Sequence, residues 1–82
     1  MPTFLDHHPM PEISDQVREG IAARIRSGET DENGARAVNV YLADGEAYCL
    51  SEAPDPDAVV AAHRAAGVEI RREDVVEVAA VA

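Results

Sequence analysis

The chain has no lysine and only one cysteine, and none of its apolar runs approaches the roughly 20 residues of a membrane-spanning helix. A single cysteine excludes an intrachain disulfide. All seven basic residues are arginines; set against sixteen acidic ones they leave a formal net charge of −9. A field of that sign repels phosphate backbones and anionic lipid and attracts cations, so neither nucleic acid nor a membrane surface is expected as a partner. The opening MPTFLDHH has neither a basic n-region nor an apolar h-region, which does not fit a signal peptide. The expectation is a soluble cytoplasmic protein. Catalytic signatures are missing too: there is no G-x-S-x-G, no glycine-rich phosphate loop, no H-E-x-x-H and no C-x-x-C.

What is present reads as one domain spanning residues 1–82. A chain this short buries only about 60–65% of the surface its unfolded form exposes, and a small domain without staples often gains burial by oligomerising. Residues 3–8 read as a strand stopped by Pro9, and Pro9 and Pro11 make the next stretch a rigid loop. Ser14 is a good N-cap for a helix over residues 15–26, where Val17, Ile21 and Ile25 recur every four residues and Gly28 supplies the C-terminal stop. Residues 36–42 alternate, turn at Asp44-Gly45 and return over residues 46–52 as a hairpin. A two-residue turn pairs Val40 with Cys49 and Tyr41 with Tyr48. A three-residue turn instead gathers Tyr48 and Leu50 with Val38, Val40 and Leu42, and is preferred because it collects the large apolar residues on one face. Asp55 as N-cap with Pro56 at N1 opens a second helix that ends at Gly67. Residues 68–70 read as a short extended piece and residues 75–81 as a final strand.

The order β-α-β-β-α-β predicts an α+β, ferredoxin-like fold: one antiparallel sheet with two helices on one face. The other face, carrying Tyr41, is too apolar for water. A homodimer packed sheet face to sheet face is the expected solution.

Chemistry is expected from the three histidines. In this topology the end of the first strand, the start of the first helix, the hairpin, the end of the second helix and the start of the last strand share one edge. That edge receives His7, His8 and His63 together with Asp6, Glu12, Asp15 and Glu73 and further carboxylates at Asp44, Glu46 and Asp74. Imidazoles and carboxylates together suit divalent transition metals. His7 and His8 are strand neighbours, so their side chains point to opposite faces, and which of them joins His63 is open. Cys49 has no histidine or lysine near it in sequence and reads as a buried structural thiol. Coordinatively incomplete sites at a dimer surface would also promote association between dimers when metal is added.

The run Tyr48-Cys49-Leu50-Ser51-Glu52-Ala53-Pro54-Asp55-Pro56, leading into a helix that ends at Ala66-Gly67, resembles a family of small, dimeric, ferredoxin-like nickel-binding proteins from actinobacteria. The resemblance covers most of the chain, and its specific part is Cys-x-x-Glu-Ala-Pro. It implies a dimer that holds Ni(2+) at its surface and acts as a metal sink rather than an enzyme. Other members often carry Glu-Arg where this chain has Asp6-His7-His8, and the substitution adds nickel ligands. The alternatives are an enzyme of the small dimeric ferredoxin-like barrel type, which would need a pocket with convergent polar groups, or a ligand-sensing module of the same fold.

Overall fold

The computed structural model describes residues 1–10 and 12–81; Pro11, assigned above to a rigid loop, lies outside the described residues. The elements are β1 (Thr3–Pro9), α1 (Asp15–Ser27), β2 (Arg36–Ala43), β3 (Glu46–Glu52), α2 (Pro56–Ala65), a 3₁₀ turn (Arg72–Asp74) and β4 (Val76–Val78). The strands form one antiparallel sheet in the order β2-β3-β1-β4, the ferredoxin-like arrangement expected from the element order. Alternation along β1 sends Phe4, Asp6 and His8 to the buried, helix-covered face, and Leu5 and His7 to the other. Because β4 pairs only with Thr3, Phe4 and Leu5, the far end of β1 needs no donor on that side, and Pro9 fits there without losing a ladder bond.

The hairpin register differs from the preferred reading. Ala43 faces Glu46, Tyr41 faces Tyr48 and Val40 faces Cys49, so the turn has two residues. Asp44 at φ 52° and Gly45 at φ 76° are both left-handed, the conformation of the two-residue turn whose twist matches that of its strands. Gathering the large apolar residues on one face therefore loses to turn geometry. Tyr41, Tyr48 and Leu50 go outward, and Ala47, Cys49 and Ser51 go inward. A bulge between Ala37 and Asn39 shifts the register farther along the hairpin.

Both helices start where their caps predict. Ser14 Oγ accepts a hydrogen bond from Val17 N at 3.2 Å, and Gly28 closes α1 in the left-handed conformation. Asp55 Oδ1 accepts from Ala58 N at 2.8 Å, with Pro56 opening α2. The core is small and built from Phe4, Ala35, Ala53, Ala58, Val59, Ile70 and Val75. Helix α1 has no buried residue. The last strand is shorter than the sequence pattern predicts: Glu73 and Asp74 enter the 3₁₀ turn, where the backbone N–H and guanidinium of Arg71 donate to the Asp74 carboxylate, and only Val76–Val78 pair with β1. Residues 68–70 form no strand. Leu5, Tyr41, Tyr48 and Val76 are all exposed. No helix among the described residues is long and apolar enough to cross a membrane.

Candidate metal centre

Two strands and one helix bring four donor side chains together on the covered face of the sheet. Asp6 and His8 stand two apart on β1. Cys49 lies directly across from Asp6 on β3, close enough for their side chains to meet. Ala47, fully buried, faces His8 and leaves room for its ring. His63 projects from α2 one turn after Val59, whose 1% exposure anchors that helix face in the core. One donor atom from each of Asp6, His8, Cys49 and His63 lies within 4.8 Å of the other three. Donors around a metal at the usual 2.0–2.3 Å stand roughly 3.3–3.8 Å apart in a tetrahedron and about 4.0–4.6 Å apart when opposite, so a small contraction suffices to close the set on an ion.

Three features fit a metal better than a core. The carboxylate of Asp6 is 1% exposed and neither oxygen has an aligned hydrogen-bond donor. A buried charge left in that condition is costly unless something cationic compensates it. Nε2 of His63 lies 3.1 Å from Asp6 Oδ1, a close charge contact. Each histidine also donates its Nδ1–H to a backbone carbonyl: His8 to Pro9 O at 3.0 Å and His63 to Val59 O at 2.9 Å. That pairing leaves Nε2 of both rings directed at the cluster, the outer-partner arrangement typical of metal-ligating histidines. Finally, Cys49 Sγ sits 3.7 Å from His8 Nε2, and the two imidazoles meet edge to face at 5.4 Å.

Without an ion, a proton can occupy the same space. Burial disfavours the His63 imidazolium. The Asp6 carboxylate outweighs it, with help from Cys49 and the Val59 carbonyl, and the pKa is raised from 6.5 to about 10. The metal-free centre is then an imidazolium held against a buried carboxylate.

Among the residues expected at the metal-binding edge, Asp6, His8 and His63 converge. His7 does not join them. It points to the opposite face, stacks on Tyr48 at 5.6 Å and contacts Glu46 Oε1 at 3.1 Å. Glu12, Asp15 and Glu73 are exposed, and among the described residues only the Asp6-His8-Cys49-His63 group brings three or more such donors within ligand distance. Asp74 is engaged by the Arg71 guanidinium at 3.2 Å. Cys49 is buried, as expected, but it was not among the expected metal-binding residues, and two imidazoles reach it from β1 and α2. The signal that would have pointed to it is the two-residue Asp44-Gly45 turn, which pairs Val40 with Cys49, while the β1–β3 register puts Cys49 opposite Asp6.

Residues 4–78 match the family described as nickel responsive protein SCO4226-like. No curated protein and no solved structure gives a significant match.

Proposed function

The chain belongs to this nickel responsive family, and from that premise we propose that it binds Ni(II) through Asp6, His8, Cys49 and His63 and serves to hold the ion rather than to transform a substrate. The observation that supports the reading is the buried carboxylate of Asp6, with His63 Nε2 at 3.1 Å beside it, amid two imidazoles whose Nδ1–H groups are already engaged. Imidazole, carboxylate and thiolate also suit zinc, cobalt and copper, so the choice of nickel comes from the family. All four donors come from one chain, which makes an interior site possible without a ligand from a neighbour. The working unit in this reading is a cytoplasmic homodimer paired through the sheet face that exposes Leu5, Tyr41, Tyr48 and Val76, because such a face on a small domain is costly in water.

Calorimetric titration of reduced, chelator-treated protein with nickel, cobalt, zinc and copper tests the metal reading. The expected result is one tight nickel site per chain that Cys49→Ser and His63→Ala each weaken by more than ~100-fold, beyond the loss typical of removing an outer partner. Parent-like affinity in both variants would refute the assignment. Sedimentation at micromolar concentration tests the dimer, and a Tyr41→Asp variant should sediment as a monomer.

A further inference from the structure

A cavity of about 630 Å³, open to solvent, runs between the helices and down to the covered face of the sheet. Cys49 and His63 line it, whereas Asp6 and His8 do not. An ion drawn between the four donors therefore has protein behind it on the Asp6 and His8 side and the cavity on the Cys49 and His63 side. We propose that this cavity is a binding site for a small neutral nitrogen donor of the imidazole or amine class, which ligates the held metal ion directly and forms a ternary complex. The inference rests on the metal reading above and adds a second ligand to it.

Charge selects the class. The Asp6 carboxylate and a Cys49 thiolate already balance a divalent ion, so an added anion would bring uncompensated charge into a buried centre. The arginines lining the cavity do not invite one either, because Arg24 reaches Asp31 at 3.9 Å and Arg36 donates to Glu52 at 2.9 Å. A neutral nitrogen adds no charge, and nickel accepts imidazole readily at coordination numbers above four. The shape agrees. Beside His63, the wall at the end of α2 is made of alanines, Ala62 in the helix and Ala66 just past it among them, which leave space for a flat ring. Ser51 lines the same cavity, two residues from Cys49 on β3. Its hydroxyl can accept the distal ring N–H.

The probe is imidazole itself, titrated into protein carrying one nickel per chain while the thiolate-to-nickel absorption is followed. A saturable spectral change is expected, with nickel still eluting with the protein on gel filtration. Ala62→Leu and the more exposed Ala66→Phe should each weaken the imidazole response at least tenfold while leaving nickel stoichiometry unchanged. Two variants are used because Ala62 also touches the core. Nickel-loaded protein with no spectral response, imidazole that strips the ion, or an undiminished response in both filled variants would each overturn the inference and leave nickel binding standing. Failure of the parent to bind nickel at all would overturn both.

Discussion

Asp6 Oδ1 on β1 lies 3.1 Å from Nε2 of His63 on α2, and only 1% of the aspartate is exposed. In the proposed reading a proton and a metal ion compete for the space between these groups, and the expected behaviour of the protein with pH follows from that competition.

In metal-free protein the pKa of His63 is raised from 6.5 to about 10. A raised folded-state value means that this group's stabilisation is fully present below pH 6.5 and is lost as pH rises through 10. Chelator-treated protein should therefore melt at progressively lower temperature between pH 6.5 and 10. His63→Gln should flatten the slope. An equal slope in parent and variant would show that the pair contributes nothing.

Nickel must displace the proton on His63, and Cys49 binds only as thiolate, so uptake releases protons. Affinity should rise with pH from 6 towards 10, by up to about tenfold per unit for each proton released. Calorimetry in buffers of different ionisation enthalpy measures the number directly. A count of zero would exclude His63 and Cys49 as ligands.

His7 offers a control for the rim. It lies on the face opposite the centre and pairs with Glu46 in solvent. His7→Ala should leave the tight nickel site unchanged and shift stability by no more than about 0.5 kcal/mol. His8→Ala, one residue away, should abolish tight binding. Loss of tight binding in the His7 variant would move the site to the edge of the sheet.

Ligation also stabilises the fold, because four donors from three elements are tied together. At free nickel one hundred times the dissociation constant the gain is about 2.7 kcal/mol, which for a domain of this size raises Tm by roughly 10–20 °C. Differential scanning calorimetry with nickel, then with excess chelator, should show the rise and its reversal. An unmoved Tm would argue against a site in the folded interior.

Much of the architecture was legible because local chemistry decides it. Asp55-Pro56 and Ser14 start their helices through orphan backbone donors that only such residues satisfy, and the element order leaves few topologies open. The presence of Asp6, His8 and His63 at the centre followed from those two facts together. Choosing His8 over His7 did not, because strand alternation places them on opposite faces without saying which face is covered; the burial of Phe4 in the core decides it.

Cys49 required the tertiary structure. Its neighbours in sequence neither polarise it nor ligate with it, and the preferred hairpin register turned it away from the helices. The left-handed conformations of Asp44 and Gly45 select the other register, and with a period of two a one-residue slip reverses every side chain on the strand. By itself the sequence determined the charge, the ends of the helices and the order of the elements, and it placed Asp6, His8 and His63 at a shared edge with other candidates that do not cluster. The placing of Cys49 beside those residues, the burial of the Asp6 carboxylate against His63, and the cavity beside the cluster exist only once β1, β3 and α2 are packed. Each depends on distances between residues far apart in the chain, and no local preference encodes those.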